Sequence, residues 1–172
     1  MGKDIANIVN ALKRSEVFLS LEDKYLEIIA SLPSSCEKNL EPGEILFQLG
    51  ERAEFLYVLK EGSINLVAGI ILDPEQAKTK LVVDRVTVGD FLGWSALVAP
   101  FSYVLTAVAE VPSIVICING RELINLSNED FYVGYKVFSG LADIIGSRLR
   151  EYEQMMLRGR RWPFLNGNVN GH

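Results

Sequence analysis

Residues Pro42 to Leu66 read PGEILFQLGERAEFLYVLKEGSINL, and residues Val88 to Val98 read VGDFLGWSALV. In both stretches short apolar runs alternate with turns built on glycine. Pro42-Gly43 and Gly50-Glu51 mark two turns, and Glu61-Gly62 marks a tight hairpin. Between them the spacing predicts strands from Glu44 to Gln48, from Phe55 to Lys60 and from Ser63 to Ile71. Turns this tight need a positive φ, which glycine adopts at little cost.

The same texture extends on both sides. Ser35 to Leu40 reads as a preceding strand, and Lys80 to Val86 as a following one, with the polar stretch Asp73 to Thr79 as a loop around Pro74. Val88-Gly89-Asp90 is a further turn. Tyr103 to Ala109 and Ser113 to Ile118 close the set, split at Val111-Pro112. Short strands spaced roughly 8–12 residues apart, with Gly and Pro between them, predict an antiparallel sandwich or barrel.

Helical periodicity flanks this β-body. Ile5, Ile8, Val9 and Leu12 recur at helical spacing. Ser20-Leu21-Glu22-Asp23 has the form of a capping box, with Ser20 as the cap of a second helix that Pro33 stops. Beyond Gly120, Arg121 to Leu126 reads as a short helical turn, and Ser127, Asn128 and Asp130 offer a cap for a long helix. Along that helix Phe131, Tyr135, Phe138, Ala142, Ile145, Leu149, Tyr152 and Met156 form a heptad seam beside a second apolar stripe, Val137, Leu141 and Ile144. One stripe can cover the β-body while the other meets a partner helix, which predicts a homodimer; the alternative is that the whole face packs inside one chain. Residues 159–172, ending in a Gly/Asn-rich run, read as a flexible tail.

Composition narrows the function. Of 172 residues, 49% are hydrophobic and 23% charged, the balance of a globular chain. Seventeen Lys and Arg face 22 Asp and Glu, a net charge of −5, which argues against a nucleic-acid-binding face. The one histidine is His172, so a Ser-His-Asp triad and a His-based metal centre are excluded, and no metal or other cofactor is expected. Glu51 with Glu54, and Glu151 with Glu153, read as solvated faces, and no catalysis is expected. Cys36 and Cys117 have no metal spacing and make no disulfide framework; both read as small buried hydrophobes in a reducing compartment. With neither a signal peptide nor a long apolar run, the chain is expected to be cytoplasmic and free of the membrane.

The glycines Gly43, Gly50, Gly62, Gly89 and Gly93, in register with the strands, carry a resemblance to the cyclic-nucleotide-binding domain of bacterial catabolite activators and protein kinase A regulatory subunits. It covers roughly Ile8 to Arg150, including the leader SEVFLSLEDKYLEIIASL from Ser15. The resemblance implies a mainly β fold: a double-stranded β-helix, or eight-stranded jelly-roll, with short N-terminal helices and a long C-terminal helix. The expected divisions are N-terminal helices at 1–33, the jelly-roll at 34–120 and the C-terminal helices at 121–158. The family's DNA-reading members carry a helix-turn-helix domain after the long helix. Only about 15 residues follow it here, so direct DNA reading is not expected.

The resemblance also implies a phosphate-binding cassette over Gly93, Trp94, Ser95, Ala96, Leu97, Tyr103, Val104 and Thr106. In the family a Glu directly after the glycine takes the ribose hydroxyl, and an Arg ten positions beyond the glycine pairs with the phosphate. Here those positions hold Trp94 and Tyr103, while Thr106 keeps the family's Thr. Losing a charge-assisted pair at both points costs about 3–6 kcal/mol. That takes a micromolar site to about millimolar or weaker. Arg85, the nearest other cation in sequence, is expected to face solvent. The chain is therefore expected to be a non-catalytic regulatory or sensor module that does not bind cAMP or cGMP in the usual way. Three alternatives stay open for the cassette: the rings of Trp94 and Tyr103 fill the pocket, they stack on a different small-molecule ligand, or a nucleotide binds in an unusual mode. A cyclic-nucleotide-responsive or transcription-regulator effector domain is the alternative function.

Overall fold

The computed structural model describes residues 4–71 and 81–157. The predicted tail at 159–172 and the predicted loop at Asp73 to Thr79 lie outside the described residues. Three helical pieces lead in: α1 (Ile5–Leu12), a single 3-10 turn (Glu16–Phe18) and α2 (Asp23–Ser31). Eight strands follow: β1 (Cys36–Leu40), β2 (Ile45–Phe47), β3 (Phe55–Glu61), β4 (Ile64–Val67), β5 (Val82–Val86), β6 (Phe91–Leu92), β7 (Thr106–Ala109) and β8 (Ser113–Asn119). Helices α3 (Gly120–Glu129) and α4 (Phe131–Leu157) complete the described chain.

The strands form two antiparallel four-stranded sheets, ordered β1-β8-β3-β6 and β2-β7-β4-β5. This is the expected mainly β jelly-roll with helices at both ends. The run FLYVLK is almost wholly apolar because β3 is covered on both faces. Leu56 and Val58 pack with Ile116 and Ile118 of β8 against α1, α2, α3 and α4, while Tyr57 and Leu59 pack with Val115 and Cys117 between the sheets. The strand period of two thus sorts one sequence run into two cores.

Several boundaries differ from the sequence reading, each for a local reason. The cap of α2 is Glu22, which makes no side-chain capping bond, and Ser20 is not the cap. The chain from Ser15 to Leu19 instead coils into the 3-10 turn that buries Val17 and Phe18. Strand β4 ends at Val67, because Gly69 turns the chain at φ 93° and its carbonyl accepts from the Thr106 hydroxyl at 2.6 Å. Strand β7 begins at Thr106 because the Tyr103 backbone pairs instead with the turn at Gly50 and Glu51. The two-residue strand β6 carries no period of its own and was not separable from the turn before it. Arg121 to Leu126 belongs to the ten-residue helix α3. Cys36 is exposed, contrary to expectation, since β1 is the outer strand of its sheet; Cys117 is buried as expected. Arg85 is exposed and paired with Glu110 at 2.7 Å.

Helix α4 starts where Asp130 accepts from the N–H groups of Tyr132 and Val133, as the cap signal predicts. It lies along the molecule with Val133, Val137 and Leu141 buried. Two of its glycines are close-approach points: a Cβ on Gly134 would meet the Ser127 carbonyl at 2.7 Å, and one on Gly140 would meet the Val17 carbonyl at 2.8 Å. Gly146 is different, with only the Arg150 guanidinium at 3.4 Å. Gly140→Ala is expected to destabilise the chain by about 1–2 kcal/mol in urea unfolding, overpacking outweighing the helix-propensity gain. Gly146→Ala is expected to stabilise it by about 0.5–1 kcal/mol, since no neighbour resists the added methyl. Equal effects at the two sites would refute this packing account.

Candidate functional site

The predicted cassette starts at the end of the β1-β8-β3-β6 sheet, where Gly93 follows β6, and ends at Thr106, the first residue of β7 in the other sheet. Gly93 follows β6 directly and adopts a left-handed conformation at φ 76°. A Cβ there would meet the Phe55 carbonyl at 2.8 Å, the Tyr57 ring at 3.1 Å and the Tyr103 ring at 3.3 Å. The glycine is therefore required both by its φ and by the chain's own side chains. Trp94–Ala96 form one 3-10 turn, closed by Ala96 N–H donating to Gly93 and Leu97 N–H donating to Trp94.

Tyr103 reaches the interior. Its residue is 4% exposed, and its ring stacks on Phe47 with centroids 3.8 Å apart at an interplanar angle of 15°. Its hydroxyl donates to the Phe55 carbonyl at 2.9 Å and accepts from the Phe55 N–H at 3.3 Å. Tyr57 lies alongside, its ring 5.7 Å from that of Phe47. The aromatic group so formed ties β2, β3 and the segment before β7 together. Burial pushes the pKa of both phenols up; at Tyr57 the neighbouring Tyr103 adds to the effect.

The other predicted cassette residues divide. Trp94 is half-buried and packs toward the helical core, where Leu97 is also buried. Ser95 and Ala96 are buried, and Val104 is 60% exposed. Thr106 is fully buried, its hydroxyl donating to the Gly69 carbonyl and accepting from Leu49 N–H at 3.0 Å. The partly open space bordered by Gly93, Trp94, Ser95, Tyr103, Val104 and their neighbours is about 40 Å³, little more than one or two waters. Larger openings lie elsewhere among the described residues. A cleft of about 440 Å³ runs between the outer flank of the cassette and α3, and a shallow groove of about 670 Å³ runs between α2 and α3.

Three residues at this site escaped the sequence reading. Phe47 and Tyr57 were legible only as strand residues; the inward phase of Tyr57 became visible once β3 was known to be buried on both faces. Arg148 comes from α4, lines the mouth of the 40 Å³ space, approaches Asp84 at 3.8 Å and lies over the Phe91 ring at 5.9 Å. No spacing rule links position 148 to position 103, so only the fold could find it.

The predicted dimer seam is split by the structure. Phe131, Tyr135, Phe138, Leu149 and Met156 are exposed, as is Ala142, whereas Ile145 packs against the core and Tyr152 is half-buried. No group of three or more Cys, Asp, Glu or His could hold a metal among the described residues. None of the described helices is long and apolar enough to cross a membrane.

Since both inner tyrosines have folded-state pKa values above their unfolded value, the folded state holds protons that the unfolded chain releases. Stability is then fully present below about pH 10 and falls as pH rises, by about 1.4 kcal/mol per pH unit for each tyrosine. Urea unfolding from pH 8 to 11 is expected to show this loss, and Tyr103→Phe is expected to reduce its slope. Tyr103→Phe is also expected to cost about 1 kcal/mol at neutral pH by leaving the Phe55 groups without the hydroxyl.

A family model described as "Cyclic nucleotide-binding domain" matches residues 37–130, more than half of the chain. No curated protein matches the chain. Among solved structures, a putative cyclic nucleotide-binding protein from Geobacter metallireducens GS-15 is 28% identical with a TM-score of 0.67, covering 81% of this chain and 96% of its own. The N-terminal domain of a transcriptional regulator from Streptomyces coelicolor A3(2) is 23% identical with a TM-score of 0.63, covering 92% and 99%. A triple mutant of the regulatory subunit of a cAMP-independent protein kinase A from Trypanosoma brucei, bound to cAMP in the A site, is 20% identical with a TM-score of 0.68. That match covers 89% of this chain, which spans about half (51%) of the trypanosome chain.

Proposed function

The chain belongs to the cyclic nucleotide-binding domain family, and from that premise we propose that it is a non-catalytic regulatory module whose own aromatic side chains occupy the place of the nucleotide phosphate. The observation that carries this reading is Tyr103. The family's phosphate-pairing Arg position holds a buried phenol, stacked on Phe47 and bonded in both directions to Phe55. A guanidinium buried there would need an anion to offset its desolvation, whereas a phenol with both hydrogen-bonding capacities used needs none. The remaining 40 Å³ is far below the several hundred that a nucleotide-sized ligand fills. The trypanosome relative is described as belonging to a cAMP-independent kinase, which supports a regulatory use of this fold outside a cAMP response.

The output element in this reading is α4. Its buried stripe fixes it to the body, and its exposed residues Phe131, Tyr135, Phe138, Leu149 and Met156 form an apolar face suited to a second copy of the chain. A solvent-facing row of this kind on one helix is what a homodimer would bury.

Calorimetric titration with cAMP and with cGMP is expected to give no binding tighter than about millimolar; micromolar affinity for either nucleotide sinks the occupied-pocket reading. In sedimentation at micromolar concentrations the chain is expected to run as a dimer, and Leu149→Glu, placing a charge in the seam, is expected to weaken association at least tenfold. A chain that stays monomeric throughout removes the proposed output.

A further inference from the structure

We propose that Cys36 and Cys117 form a reversible dithiol–disulfide pair that takes a low-molecular-weight disulfide such as oxidised glutathione as its oxidant. This goes beyond the regulatory reading and does not rest on it. The two cysteines are direct partners in the antiparallel β1–β8 register. Directly opposed residues point to one face of a sheet, with Cα atoms about 4.5 or 5.5 Å apart. Both spacings lie inside the range of about 4.4–6.8 Å that a disulfide tolerates. The fold has thus done the one thing that two cysteines separated by 81 positions cannot do from sequence: it has placed their Cβ atoms side by side.

Their environments differ in the way a two-step exchange needs. Cys36 is exposed on the outer strand, whereas Cys117, its register partner, is only 5% exposed. Burial, followed by the adjacent Cys36, holds the Cys117 thiol well above the ordinary range, while Lys38 acts in the opposite direction.

The exchange balances as follows. The Cys36 thiolate attacks one sulfur of oxidised glutathione, breaking its S–S bond and releasing one glutathione thiolate. Cys117 attacks the Cys36 sulfur, its proton passing to the departing glutathione thiolate, so that the Cys36–Cys117 bond forms and the second glutathione leaves as the thiol. The protein loses two protons and two electrons, and one oxidised glutathione becomes two reduced molecules.

The bond would act on more than the edge. The register runs Cys36, Cys117, Tyr57, Leu92 straight across all four strands of the sheet. Leu92 precedes Gly93, and Tyr57 lies beside Tyr103. Drawing the first two residues together therefore loads a row that ends at the cassette.

The test incubates the full chain in glutathione buffers of increasing oxidised fraction, quenches with an alkylating reagent, and reads intact mass and disulfide-linked peptides. The expected product is monomeric, lacks two hydrogen masses, carries no glutathione, links Cys36 to Cys117 and is reversed by dithiothreitol. Its Tm is expected to rise by roughly 5–15 °C. Cys36→Ser, at an exposed edge position, is expected to keep the far-ultraviolet circular dichroism of the parent and to form no adduct. Cys117→Ser is expected to stop at glutathione on Cys36. If Cys117→Ser does not fold, the parent chain still decides the matter. A lasting glutathione adduct on Cys36 in the parent, a dimer cross-linked through Cys36, or two alkylatable thiols in the most oxidising buffer would each overturn the proposal.

Discussion

Burial of β3 and β8 on both faces is the constraint on which the rest of this structure depends. A sheet strand in a two-sheet roll usually has one face to spare for solvent. Here Leu56, Val58, Ile116 and Ile118 are completely buried under helices while Leu59 and Val115 are completely buried between sheets. At about 1.5–3 kcal/mol for each such side chain, the helical layer is as much a part of the core as the second sheet. The helices must then lie close. Gly120 brings the start of α3 onto Ala96 of the cassette, and Gly140 brings α4 onto the Val17 backbone. The cassette is therefore gripped on its outer side by the helical layer, through Trp94 and Leu97, and on its inner side by the aromatic group around Tyr103.

That inner group satisfies itself. A roll interior that holds a phosphate has to hold a cation, and a buried cation without its anion is costly. Tyr103 removes the requirement, because its single hydroxyl is paired with both backbone groups of Phe55 and its ring is covered by Phe47. The nearby Thr106 hydroxyl is likewise committed, to Gly69 and Leu49. In the proposed reading only about 40 Å³ is left beside Tyr103, and a conformational change that reaches α4 enters from somewhere other than the family's pocket.

How much of this was legible in the sequence follows from the range of the interactions involved. The glycine turns, most of the strand runs and the cap at Asp130 are local, and they appeared close to where their spacing placed them, apart from the ends of β4 and β7 and the unread strand β6. The separations of Gly93, Tyr103 and Thr106 along one segment carry the expected cassette length by resemblance. What was not legible is non-local. Ser20 resembled a cap, but burial of Val17 and Phe18 in the preceding 3-10 turn set the start of α2 at Asp23. Cys36 was read as buried because cysteine usually is, yet its exposure was decided by β1 taking the outer place in the sheet. The heptad seam was regular along its length, but Ile145 turned inward with Leu141 and Ile144, while Tyr135 and Leu149 remained outside.

Arg148 shows how these layers meet. It stands on the only described helix that touches the mouth of the cassette, with its guanidinium between the Asp84 carboxylate and the Phe91 ring. Phe91 is buried in the helical core, and Asp84 lies on β5 in the opposite sheet. One side chain on α4 thus touches both sheets of the roll. The pair is partly exposed and its Coulomb attraction is modest at 3.8 Å, so the position of α4 is set mainly by the burial of Val133, Val137 and Leu141 further up the helix. The segment after Gly146 is held by far less. Along this last stretch Leu149 and Met156 are exposed, while Arg148 and the half-buried Tyr152 both lie near Asp84 of the roll.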